Sequence, residues 1–257
     1  MGRPSKIKTG DVIQMAHGPV RVIEYVNHNN IKVCYEKSYR RVLDFYTTVP
    51  NCSLKDDSSC PYDRRINGIG YYGQGPYKIK NKTPPFSIWS NMIKRCYNEK
   101  AVLEDQNYIY TVVSDEWLCA QNFAEWHYTK SNYIEGFVLD KDLLSDSRFY
   151  SEETCLYVPG EINTAIVLSY KDKKEKHLPV GVVRCKQTGL YSVSAGTRGN
   201  STWGGRHKTV EEAFRSYCNI KNDQLRYLAN KYESFMPSNA VYCLNNFVRD
   251  RIIPNYE

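Results

Sequence analysis

The stretch "TVEEAFRSYCNIKNDQLRYLANKY" constrains the fold most. It opens on Thr209, with Glu212 three residues on, a capping box in which each side chain can satisfy a backbone N–H of the first turn. Ala213, Phe214, Tyr217, Ile220, Leu225 and Leu228 follow at helical spacing and give one apolar stripe. A single stripe needs a second layer to bury it. Directly upstream, "PVGVVRCKQTGLYSVSAGTRGNSTWGGRHKT" reads as three strands, with Lys-Gln-Thr-Gly (186–189) and Arg-Gly-Asn (198–200) as turns. Residues 178–233 therefore read as a sheet-plus-helix unit, and the chain as α+β.

Residues 10–49 alternate short apolar runs with turn chemistry. "DVIQMA", "PVRVIEYV", "IKVCYEK" and "RVLDFYT" read as strands, joined through "HGP" and "NHNN". They predict a small N-terminal β-barrel of the Src-homology-3-like kind over 1–50, preceded by a basic, frayed "MGRPSKIKT". Residues 51–85 read as a linker with a Gly-Tyr-rich segment. Gly68, Gly70, Gly73 and Gly75 do not make a phosphate loop, because Gly-Lys-Ser/Thr is missing and no strand leads into a helix. A bent strand or a loop laid over another surface is expected there.

The middle region, 86–170, starts with two helices. In "FSIWSNMIKRCYNE", Ile88, Trp89, Met92, Ile93 and Cys96 share a face. "SDEWLCAQNFAEWHYTK" repeats the pattern with Trp117, Phe123 and Trp126, has Ser114 as N-cap, and carries His127. A hairpin and a helix from about Pro159 follow. "YKDKKEKH" (170–177) is a hydrophilic connection. The tail, 234–257, adds a short helix around "AVYCLNNFVRD".

The formal net charge is +7. Residues 171–231 hold thirteen Lys/Arg against five Asp/Glu, a surplus larger than that of the whole chain. Such concentration favours an anionic partner and is expected to lie on the flat face of the C-terminal sheet. The 22 tyrosines suit small β cores, with some free to stack on bases or anchor a protein partner. Nine cysteines without a Cys-x-x-Cys pair disfavour a zinc finger and point to free thiols in a reducing, cytoplasmic setting. No apolar run approaches the ~20 residues of a membrane span, so no membrane partner is expected.

Two segments resemble known families. In 178–233, "GVVRCKQTGLYSVSAG", the Trp and Gly that follow, and "KTVEEAFRSYCNIK" resemble the Apetala-two (plant ethylene-response-factor) type DNA-binding domain of phage and homing-endonuclease proteins. The resemblance implies a three-stranded sheet laid in the major groove of double-stranded DNA and braced by the helix. By period two, Arg184 and Lys186 share one face, and Ser192 and Ser194 stand opposite to Tyr191, Val193 and Ala195. Arg184, Lys186, Ser192, Ser194, Arg198, Trp203 and Arg206 are the expected DNA-facing residues. "TRGNSTWGGRHKT" lacks the usual Leu-Gly-Phe/Tyr step, so the third strand is expected to be distorted.

Residues 86–165 resemble HNH-type phage proteins through "WSNMIKRCY", "DEW" and "NFAEW", "LDKDLL" and "YSEETCLYVPGEIN". The resemblance implies a ββα site for Mg²⁺ or Mn²⁺, with Asp140 in the metal-Asp position, Lys141 in the general-base position and Asn163 on the helix. Asp142 could add a carboxylate, and His127 a base from the preceding helix. Lysine, with a reference pKa of ~10.4, is protonated at neutral pH and cannot take a proton from water. Paired with Asp142 or Glu153 it would instead lock the turn. The reading favoured is a phage-type duplex DNA-binding protein on an HNH-like scaffold with a degenerate catalytic site, acting in the host cytoplasm. The alternatives are an active metal-dependent nicking endonuclease and a phage protein that binds and modulates a host enzyme.

Overall fold

The structure is a computed structural model. It describes residues 7–56, 60–79, 82–105, 108–145, 147–167, 178–197 and 200–254. The connection at 170–177, most of the basic start and the tip of the 198–200 turn, Arg198 included, lie outside the described residues. The architecture is mixed α+β with several small sheets. The chain divides into two compact units, Met1–Lys130 with Arg148–Ser151, and Ser131–Ser147 with Glu152–Glu257.

In the first unit, β1 (Val12–Met15), β2 (Gly18–Asn27), β3 (Asn30–Tyr35) and β4 (Phe45–Val49) form an antiparallel meander in chain order. Among the described residues no pairing closes β4 onto β1. Val20, Val22, Ile31, Val33, Tyr35 and Val49 fill its core, each worth about 1.5–3 kcal/mol of burial. Leu54, on the short α1 (Ser53–Asp56), and Cys60 complete that core. Leu54, Cys60 and Tyr62, expected to lie in a linker, therefore pack on the module, because the meander alone leaves its apolar face uncovered.

α2 (Pro84–Tyr97) begins on two prolines, whose fixed φ and missing N–H suit a first turn. It buries Trp89, Met92, Ile93 and Cys96 as the spacing predicts. α3 (Glu99–Glu104) follows, with the Asn98 side chain accepting the Ala101 N–H at 3.2 Å, and then β5 (Val112–Val113). Ser114 Oγ accepts the Trp117 N–H at 3.3 Å, but Ser114 is not an N-cap: Asp115 precedes the single 3₁₀ turn, Glu116–Leu118, which has no side-chain cap. The regular helix, α4 (Ala120–Thr129), starts after that turn. Trp117 packs against Phe123 and Trp126, with centroids 5.0 and 4.6 Å away. The Gln121 amide donates to the Tyr77 carbonyl at 2.9 Å and accepts the Tyr77 N–H at 3.1 Å. This pins the Gly-Tyr segment over α4, as a loop laid on another surface. A Cβ at Gly73 or Gly75 would come within 2.3 Å of Cys119 or Gln121, so the close approach requires glycine.

The second unit begins with β6 (Phe137–Asp140). The next strand, β7 (Phe149–Tyr150), pairs in parallel with β5 and belongs to the first unit. β8 (Leu156–Pro159) returns antiparallel to β6 and runs into α5 (Gly160–Ile166). A second sheet follows, ordered β11-β10-β9, from β9 (Val182–Arg184), β10 (Tyr191–Thr197) and β11 (Asn200–His207). α6 (Val210–Tyr232) carries the capping box read from Thr209 and Glu212 and is followed by α7 (Ser238–Phe247).

One core unites these pieces: Leu156, Val158 and Ile162 meet Val182, Val193, Ala213, Leu225, Leu244 and Phe247. The expected boundaries are corrected accordingly. Residues 86–170 split between the units, 178–233 does not stand apart from the hairpin, and 234–252 is core rather than tail. A seven-residue helix on a two-stranded hairpin is too small to bury its own apolar face, so it shares α6. Lys221 marks the junction: its ammonium donates to the Ala165 carbonyl at the end of α5, and burial lowers its pKa to about 8.

Candidate functional site

The hairpin that suggested a metal site is closed on itself. Asp140 ends β6 and is only 4% exposed. Its Oδ1 accepts the backbone N–H of Asp142 at 3.1 Å and of Leu143 at 2.8 Å. Asparagine and aspartate favour this local backbone mimicry at turns. Burial pushes the carboxyl up to about 6, against the two backbone donors. Lys141, also buried, pairs with the exposed carboxylate of Asp142, which is the turn-locking role. Asn163 is half-buried in α5. His127 is buried in α4 of the first unit, and desolvation lowers its pKa to about 4.

This set does not fit Mg²⁺ or Mn²⁺. Those ions need several oxygens converging on one point, whereas the Asp140 oxygen is engaged by the turn and an ammonium neutralises Asp142. Among the described residues no group of three or more His, Cys, Asp or Glu side chains could hold a metal ion.

The β9–β11 sheet is different. α6 packs on one face, where Val182, Val193 and Ala195 are buried. Gln224 on α6 donates to the Ala195 carbonyl and the Thr202 hydroxyl, both at 3.2 Å. The opposite face is open. Residues directly opposite in an antiparallel ladder share a face, so Val183, Ser192 and Arg206 form one row and Ser194 and Trp203 the next. Val183 is 64% and Trp203 60% exposed. The Ser194 and Ser201 hydroxyls hydrogen-bond across the strands at 2.7 Å. The face thus offers a guanidinium, an indole, a valine and hydroxyls that can donate or accept.

Two of the expected residues do not lie on these rows. Arg184 stands opposite Tyr191, on the parity of the helix-covered face, although its strand-end position leaves it exposed. Lys186 lies beyond β9, in a turn where Gly189 N–H donates to Cys185 at 2.8 Å. Ser192 and Ser194 fall where period two puts them, whereas Trp203 and Arg206, three positions apart, share the face only because the register shifts between them. Val183 and Ser201 were missed. Adjacent Val182 and Val183 hide the strand's phase, since both are apolar. The expected distortion is present: Gly204 and Gly205 together face Val193, a bulge between Ser192 and Ser194. A Cβ on Gly204 would come within 2.6 Å of Val193.

The concentrated charge is likewise redistributed. Arg206 points out with the open face, Lys221 is buried, Lys231 pairs with Glu161 at 2.5 Å, and Arg215 and Arg226 are exposed on α6, which backs the sheet. The surplus is not a single stripe on the sheet. No helix among the described residues is long and apolar enough to cross a membrane. No family model, curated protein or solved structure matches the chain.

Proposed function

We propose that the protein binds duplex DNA through the open face of the β9–β11 sheet and that its HNH-like ββα hairpin is a structural scaffold without a metal-dependent nuclease site. The observation that carries this reading is the uncovered face itself. Arg206 can contact a phosphate or a guanine edge, the serines can meet base edges or phosphates, and Val183 and Trp203 supply apolar contact, for instance to thymine methyls. A sheet braced from behind by a helix presents these groups rigidly. On the same reading the N-terminal meander is an accessory module of the Src-homology-3-like kind, and the protein works in the cytoplasm of a phage-infected host.

Fluorescence anisotropy with a labelled duplex tests the proposal. Wild type binds with an affinity that falls steeply with salt, by a log–log slope of about −0.9 per phosphate contact. Trp203→Ala with Arg206→Ala weakens binding without lowering the melting temperature. Equal affinity of wild type and variant overturns the assigned face. Nicking of supercoiled plasmid with Mg²⁺ or Mn²⁺, lost in Asp140→Ala, overturns the scaffold reading.

A further inference from the structure

The first unit holds a cationic cluster apart from the β9–β11 face. Ser38 and Arg41 exchange backbone hydrogen bonds at 3.3 and 3.1 Å, which leaves Tyr39 and Arg40 at the tip of a tight turn. Arg41 then pairs across an antiparallel bridge with Asp63, and Arg64 N–H donates to the Arg40 carbonyl at 2.8 Å. Arg40 and Arg64 are thereby set opposite one another.

Asp63 is the carboxylate on which this arrangement is built, and it is already saturated. Its Oδ1 takes Arg41 Nε at 2.7 Å, with both side chains fully buried, and its Oδ2 takes Arg65 at 2.9 Å. Asp44, on the same hairpin, accepts the Lys37 backbone N–H at 2.5 Å. Arg40 rests over the Tyr39 ring at 5.1 Å and reaches the Ala16 carbonyl at 3.3 Å. Arg64 Nε is buried with no hydrogen-bond partner. Among the described residues no carboxylate pairs with Arg40 or Arg64. Like charges held opposite each other repel, and a partly desolvated guanidinium without a counter-charge is costly. Tyr39 is 82% exposed, so the turn tip is open to a ligand.

We propose that Arg40 and Arg64, flanked by Tyr39, form a binding site for a phosphate group. A phosphate supplies the counter-charge that both guanidinia lack among the described residues, since Arg presents forked donors matched to such anions. The phosphate can come from a nucleic-acid backbone or from a free ion. The site does not depend on the β9–β11 face.

Two measurements on the full chain test it, comparing wild type with Arg40→Gln/Arg64→Gln. At matched ionic strength, inorganic phosphate is expected to raise the wild-type Tm over chloride by about 2–4 °C, as saturating ligand does, and to leave the variant's Tm unchanged. On a labelled duplex, the variant's salt slope is expected to flatten by about 1–2, the value for one or two lost phosphate contacts. Loss of the Tm effect with an unchanged slope assigns the site to free phosphate; loss of both assigns it to the nucleic-acid backbone. If phosphate shifts neither protein, or both equally, the site is overturned, whether or not the β9–β11 face binds DNA. Arg40→Gln alone, at an exposed position, gives the same readouts if the double variant folds poorly.

Discussion

Asp140 and Trp203 stand for two ways of using a residue that looks functional. Asp140 is buried at the end of β6 and engages two backbone N–H groups of its own turn. Trp203 is a large apolar side chain left open on a sheet whose other face is packed. The first is accounted for by local folding. The second gains nothing from folding and costs solubility, so it is the better pointer to a partner. An acidic pair in a hairpin is therefore weak evidence for a metal, and an exposed indole beside an arginine is stronger evidence for a ligand.

The largest expected effect tests the open side of this comparison. Trp203→Ala/Arg206→Ala lowers duplex affinity about 100-fold, the loss of two contacts of roughly 1–3 kcal/mol each, and its thermal unfolding matches wild type. Next, Asp140→Ala destabilises the protein by about 2–3 kcal/mol in urea unfolding, because two turn N–H groups lose a buried acceptor, while duplex affinity is unchanged.

Asp140→Asn sharpens the same point through pH. The carboxyl is raised to about 6 from 3.8, so its contribution is complete below about 3.8 and is lost as pH rises through about 6. Asparagine keeps the acceptor without the charge. Its stability relative to wild type is expected to improve by about 2 kcal/mol between pH 4 and pH 7. His127 has the opposite sign: lowered to about 4 from 6.5, it stabilises fully above 6.5, and that contribution is lost as pH falls through about 4. The smallest effect is expected for Lys141→Ala, below about 1 kcal/mol, since Asp142 is largely solvated. A larger loss of stability would mean that Lys141 does more than lock the turn.

What the sequence disclosed was local. The capping box at Thr209 and Glu212, the apolar faces of α2 and α6, and the first three meander strands depend on neighbours within a few residues and formed where the pattern put them, whereas the strand read at 41–47 forms later, at Phe45–Val49. What it hid was set by distant partners. The hairpin and α5 take their core from α6 and α7, more than forty positions away in the chain, so the domain boundaries were not legible. The buried Arg41–Asp63 pair joins segments separated by 22 positions. The phase of β9 was lost because Val182 and Val183 are equally apolar, and only pairing with Val193 and Ser192 shows which one faces out.

Hydrogen exchange of the full chain with and without duplex DNA tests the central claim most directly. Binding through the open face predicts added protection across 182–207 and no change at the Asp142 and Leu143 amides. New protection at that turn, with 182–207 unaltered, would contradict it.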